Sequence, residues 1–479
     1  MDRHNVLFFF LDQCRPDWLG GASTVPVRTP NVDRLTDRGV GFANAVCPAP
    51  LCGPSRACLA AGMEYDRCGV RDHAADFPLA ARTYYGRLRD EADYHVAGCG
   101  KFDLQKHSGD WGLDGTNNVV ANGFSTGVDS AGYWDAFNSA VDEWTENAMF
   151  TGAVDPYMAY LADHDLAETH IADLARRRWG VGEPGTDIDA TAPTPLPEHA
   201  YCDNWIAREG LRLLDRAPAG RSWHLVVNFA GPHNPWDVTE EMHGWYRDPG
   251  VTFSPPVDPG DRFSSERHRA IRRNYAAMIE NIDRWVGRYR RELEAGNELS
   301  DTIIVVASDH GELLGDHGQW YKCSPYQASV GVPLVVAGPG VANRGVVGEP
   351  ASVLDVHATV LDFAGLDPGA VDSRSLRPYL TRETDTYRET VYSGLGPWRL
   401  AFDGRYKLVR GYDTDRSVNE QVSDFDPWNE AETKAALQGR GPTLFDLETD
   451  PGEIKNVAEQ CPDAVKRLSD CIDRMRSTS

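Results

Sequence analysis

Apolar runs rich in Val, Ile and Phe recur at residues 6–11, 95–97, 224–229, 302–307 and 333–336, and helical patterns fill the intervals between them. Near-continuous apolar strands alternating with helices predict a mostly parallel sheet covered on both faces, the α/β class. Between the third and fourth runs, Ile271, Tyr275, Met278, Ile282, Trp285 and Tyr289 follow one another at three- and four-residue steps, which predicts a long helix laying one stripe on that sheet. Residues 109–199 break the rhythm. They are rich in Gly, Asp, Trp and Tyr, include a loop-like stretch at 180–197, and are expected to form an insertion over the sheet facing a substrate. Beyond residue 366, short strand candidates at 390–393, 398–402, 406–409 and 443–446 precede a helix at 464–475. This predicts a catalytic α/β domain over 1–365 and a small antiparallel α+β subdomain over 366–479.

Composition narrows the partners. The 479 residues carry a net charge of −24, with 41% apolar and 25% charged residues, values of a globular chain. The acidic balance argues against nucleic acid or an anionic membrane as the main partner. No apolar run reaches the length of a signal-peptide core or a membrane span, so a cytoplasmic location is expected. The ten cysteines show no CxxC pair, which fits a reduced compartment.

Candidate chemistry gathers at the strand ends. Asp12 and Gln13 follow the first run, Lys101 the second, His233 the third, and Asp309 with His310 the fourth. In an open α/β sheet the carboxyl ends of parallel strands share one edge, where ligands bind. The run Cys52-Gly53-Pro54-Ser55-Arg56 has Pro54 suited to a first helical turn and Gly62 to a stop. Cys52 is therefore expected at a helix N-terminus, where free amides favour an anion.

In these motifs the sequence resembles the formylglycine-dependent sulfatases of the alkaline-phosphatase superfamily, whose signature is C-x-P-S-R. The resemblance extends through 29–35, Gly100-Lys101, Pro232-His233, 308–311, Lys322 ahead of 332–334, and 444–453. It implies an alkaline-phosphatase-like fold and hydrolysis of a sulfate monoester. It implies Asp12, Gln13, Asp309 and His310 as ligands of one divalent cation, together with Cys52 matured to formylglycine as metal-bound nucleophile. Arg56, Lys101 and Lys322 would stabilise the sulfate and the nucleophile, and His233 would protonate the departing alkoxide. A maturation enzyme is the implied partner, and the implied substrate is a sulfated carbohydrate or small sulfate ester.

Several positions depart from the family pattern. Gln13 and His310 stand where many members have Asp and Asn; calcium remains the expected cation, with the nitrogen ligand moving preference toward manganese or zinc. Asp103 occupies a place often held by His, so either Asp103 faces the substrate or His107 takes over that contact. His73, Trp111, Tyr133, Trp134 and Trp236 are further substrate-binding candidates, and Trp398 and Arg399 are within the reach of a C-terminal subdomain folded against the cleft. Two other functions compete: a phosphonate monoester or phosphodiester hydrolase using the same site, and a catalytically silent protein that binds a sulfated ligand.

Overall fold

The computed structural model describes residues 3–180, 190–248, 250–414, 416 and 418–477. Much of the predicted loop at 180–197 therefore lies outside the described residues. Twelve strands, numbered in chain order, form two sheets among the described residues. The larger contains β1 (Asn5–Leu11), β2 (Val40–Val46), β3 (His95–Gly100), β4 (Thr126–Asp129), β5 (Trp223–Asn228), β6 (Thr302–Ser308), β7 (Leu334–Ala337) and β8 (Gly345–Ser352), in the order β4-β3-β5-β1-β6-β7-β2-β8.

All seven residues of β1 and of β6 are buried. Alternation explains how: Val6, Phe8 and Phe10 enter one apolar cluster, and Leu7, Phe9 and Leu11 the cluster on the opposite face. The predicted long helix is Ser265–Ala295, and Ile271, Tyr275, Met278, Ile282 and Tyr289 are buried against the second face. Strand β7 runs antiparallel to both neighbours, so the sheet is mixed rather than wholly parallel. The segment 109–199 contributes more than a cover, since β4 pairs parallel with β3 and extends the sheet edge.

Four adjacent strands, β3, β5, β1 and β6, are mutually parallel. Their carboxyl ends lie side by side on one edge, with neighbours about 4.8 Å apart. This places Lys101, the loop bearing His233, Asp12 and Asp309 within reach of one another.

The smaller sheet, β9 (Val391–Leu395), β10 (Trp398–Phe402), β11 (Tyr406–Arg410) and β12 (Thr443–Asp446), is antiparallel in the order β12-β11-β10-β9. Leu468 and Ile472 of the helix Pro462–Ser477 pack on its Tyr392, Ala401, Leu408 and Leu444. It also braces loops of the larger sheet. Gly394 N donates to Pro48 O at 3.0 Å, and Trp398 Nε1 to Cys323 O at 3.1 Å, beside Lys322. Among the described residues, no helix is long and apolar enough to cross a membrane.

Candidate active site

Cys52 opens the helix Cys52–Ala61, as the Pro54 and Gly62 signals predict; Gly62 takes the left-handed conformation at its C-terminus. The helix is pinned to the sheet edge by Ser55, whose Oγ donates to Asp309 O at 2.6 Å. Ligating atoms of Asp12, Cys52, Asp309 and His310 all lie within 4.8 Å of one another, and all four residues are buried. His310 Nδ1 lies 2.9 Å from Gly311 O, which fixes it as the donor. Nε2 is thereby left as a bare ligand atom, 3.4 Å from Cys52 Sγ and 3.7 Å from oxygens of Asp12 and Asp309. Two carboxylates and an imidazole lone pair converging on one buried point fit a divalent cation.

On the other side of Cys52 stand the cations. Lys322 Nζ lies 3.4 Å from Sγ, 2.7 Å from His233 Nε2 and 2.7 Å from Gln13 Oε1. Lys101 Nζ makes a short ion pair with Asp12 and lies 3.2 Å from Asp103. Burial alone would push the Cys52 thiol up, but the ammonium groups of Lys101 and Lys322 oppose it and the thiol is held well below its usual range. The site is thus prepared for negative charge at that atom. Burial, and then the Lys322 ammonium, hold His233 below its ordinary value. Its Nδ1 donates to Asn234 O, so the neutral ring accepts a hydrogen bond from Lys322 at Nε2.

Arg56 occupies a different place from the one expected. It donates from Nε to Asp309 at 2.8 Å, reaches Asp12 at 3.5 Å and also bonds Lys101 O and Asn228 Oδ1, with its guanidinium over the Phe10 ring. It stands behind the carboxylates and orients them, rather than lining the cleft where Cys52 opens. Gln13 has φ 68°, held by Tyr275 Oη donating to its carbonyl and by its own N–H on Asp309. Its side chain links Lys322 to the buried Glu312.

The cleft has a volume of about 200 Å³ and is lined by Cys52, Lys101, His233 and Lys322 together with His73, Tyr133 and Trp134. Other candidates do not line it. Trp236 is fully buried against Trp320, and Trp111 is 5% exposed in the core, because both fill space beneath the loops. His107 faces solvent. Asp103 is buried between Lys101 and Lys106 and acts on the lysines, not on a ligand. Trp398 and Arg399 are buried in the small sheet, Arg399 on Asp66. Sequence reasoning missed Lys106 and Asp135, which also line the cleft, and Glu312, which accepts from Leu314 N and Tyr321 N and so shapes the Lys322 loop. The rarity of lysine was the available signal for Lys106; Asp135 carried none.

The family profile described as Sulfatase matches residues 4–366. The chain belongs to the sulfatase family. The arylsulfatase of Clostridium perfringens is 24% identical over 482 residues, covering 95% of this sulfatase and 90% of its relative. Arylsulfatase K of Homo sapiens is 33% identical over 470 residues, covering 92% and 76%. The crystal structure of a phosphonate monoester hydrolase of Agrobacterium radiobacter matches with a TM-score of 0.74 over 99% of this chain and 96% of that one, at 22% identity. That likeness is one of fold, shared across the alkaline-phosphatase-like proteins. The sulfatase is accordingly a sulfuric ester hydrolase, and its buried Asp12, Cys52, Asp309 and His310 form a possible metal site.

Proposed function

We propose that this sulfatase cleaves a small sulfate ester or a terminal sulfated sugar through a formylglycine made from Cys52. The observation that carries this reading is the position of Cys52 Sγ, with Asp12, Asp309 and His310 on one side and Lys322 3.4 Å away on the other. Converted to formylglycine, the residue would offer a geminal diol, one hydroxyl to attack sulfur and the other to expel sulfate and restore the aldehyde. Asp12, Asp309 and His310 would hold a divalent cation, which would polarise a sulfate oxygen and acidify the attacking hydroxyl. Calcium is the first choice, with manganese or zinc favoured to the extent that the His310 nitrogen decides. Gln13 Oε1 accepts from Lys322, so its proposed role as a ligand is secondary to seating that lysine.

The remaining steps belong to the chain's own groups. Lys101 and Lys322 grip sulfate oxygens, while Arg56 keeps the Asp12 and Asp309 carboxylates in place. The departing alkoxide takes its proton from the Lys322–His233 couple, in which the lysine N–H already points at His233 Nε2. The small cleft, below the roughly 300–1,000 Å³ of sites for drug-sized ligands, favours a small ester or one ring over an internal segment of polymer.

Two measurements test this. Mass spectrometry of the Cys52 peptide, after co-expression with a maturation enzyme, is expected to show the aldehyde; an unmodified thiol in an active preparation would refute it. Metal analysis is expected to find one divalent ion per chain, lost with activity on chelation. The shared fold with a phosphonate monoester hydrolase supports a second reading. A kcat/KM higher for an aryl phosphonate than for the matching aryl sulfate would put that reading first.

A further inference from the structure

Ion pairs form an alternating row from the buried site to the mouth of the cleft. Asp12 pairs with Lys101; Lys101 with Asp103 at 3.2 Å; Asp103 with Lys106 at 3.5 Å; and Lys106 makes a short contact with Asp135. The outer end is the more exposed: Asp12, Lys101 and Asp103 are buried, Lys106 is 14% exposed and Asp135 30%. Trp134, next in sequence on the helix Gly132–Ser139, lines the same mouth. The outermost charge of the row is a carboxylate, and Lys106, the ammonium paired with it, is shared between two carboxylates.

Resting on the sulfatase reading, we propose that Asp135 selects for substrates whose alcohol part is uncharged or cationic and rejects those bearing a second anion. A hydroxyl at the mouth can accept from Lys106 and donate to Asp135 without disturbing the row. A second sulfate or a carboxylate placed there meets the exposed carboxylate first, and it gains little from Lys106, whose charge Asp103 and Asp135 already balance. Selection arises from a repulsive element at the mouth. The sulfate being cleaved lies deeper, among Lys101, Lys322 and His233, and does not meet Asp135.

The test uses the Cys52→Ala chain, which binds without turnover, in calorimetric titrations with inorganic sulfate, glucose 6-sulfate, glucosamine 6-sulfate and glucose 3,6-disulfate. Glucose 6-sulfate and glucosamine 6-sulfate are each expected to bind at least about tenfold more tightly than the disulfate. Adding Asp135→Asn should shrink that ratio, and adding Lys106→Met should enlarge it by taking from Asp135 the ammonium it pairs with. A merely structural role for the pair would move both variants the same way. If inorganic sulfate binds but the disulfate binds as tightly as glucose 6-sulfate, or if both variants shift the ratio alike, the inference is overturned while the sulfatase reading stands. If neither inorganic sulfate nor any ester binds, the sulfate site itself is refuted and the selectivity with it.

Discussion

Replacing Lys322 by Met removes a buried ammonium while keeping most of the side-chain volume. The ammonium lies 3.4 Å from Cys52 Sγ. At an effective dielectric of about 20, two unit charges at that distance interact by about 5 kcal/mol. Only part of a unit charge develops on the transferring group, so about half of this, roughly 2–3 kcal/mol, is the expected loss, or about 100-fold in kcat at 1.36 kcal/mol per tenfold. That loss should appear on any sulfate ester. The 2.7 Å contact from Lys322 Nζ to His233 Nε2 adds a second effect that depends on the leaving group. An alkoxide must be protonated as it departs, whereas a nitrophenolate leaves as a stable anion. Loss of general acid catalysis is worth about 10²–10⁴-fold, so Lys322→Met should fall by at least about another 100-fold on an alkyl or hexose sulfate compared with p-nitrophenyl sulfate. The assay is kcat and KM for both esters on matured enzyme of equal aldehyde content, with thermal melting to confirm folding. Equal losses on the two esters would refute the proton-donating couple and leave Lys322 as a sulfate anchor alone.

Two further predictions concern groups behind the cleft. Arg56→Met takes from Asp309 its buried guanidinium partner, leaves Asp12 with Lys101 alone, and should destabilise the metal-free protein by about 3–5 kcal/mol, with divalent cation restoring part of the lost melting temperature; an unchanged melt would refute the bracing role. Burial pushes the Asp237 carboxyl up to about 7 against the pull of Arg177. A folded value above the unfolded value near 3.9 means that its contribution is full below about pH 4 and lost as pH rises through about 7, by at most about 4 kcal/mol. Asp237→Asn should therefore flatten the fall in melting temperature between about pH 5 and pH 8, and an unaltered slope would count against it.

The central strands were legible because burial on both faces forces them to be apolar at every position, and a lone Asp, Lys or His at the end of such a run stands out. The same logic explains what was missed. Strand β8 has alternating exposed positions and includes Gly, Glu and Pro, and β4 has four residues, so neither presents an apolar run. Strand β2 interrupts its apolar residues with Gly41 and Asn44 and so presents no continuous run either. Trp236 and Trp111 misled because a large aromatic near a catalytic histidine or in a loop-rich insertion has the same sequence signature whether it faces a ligand or fills a core. Asp135 and Lys106 lie 29 residues apart on different elements, and no local pattern announces such a pair.

The division of labour between the two basic residue types follows from their shapes. This chain has seven lysines against forty-one arginines, and Lys101, Lys106 and Lys322 all line one cleft. Arginine is used where a planar fork suits fixed acceptors in one plane of approach. Arg56 spans two carboxylates and a carbonyl behind the cleft, and Arg399 takes both oxygens of Asp66 beneath the small sheet. A lysine presents three donors radiating from one nitrogen, which suits a point surrounded by acceptors on several sides. Lys322 meets the Gln13 amide, the His233 ring and Cys52 in this way, and Lys101 meets Asp12 and Asp103 while still facing the cleft. A guanidinium at either place would fill the small space that the sulfate needs and fix its donors in a plane. Three of the seven lysines thus stand where a compact, radial cation is required, whereas Lys434, Lys455 and Lys466 are exposed and Lys407 pairs with Glu453 beneath the small sheet.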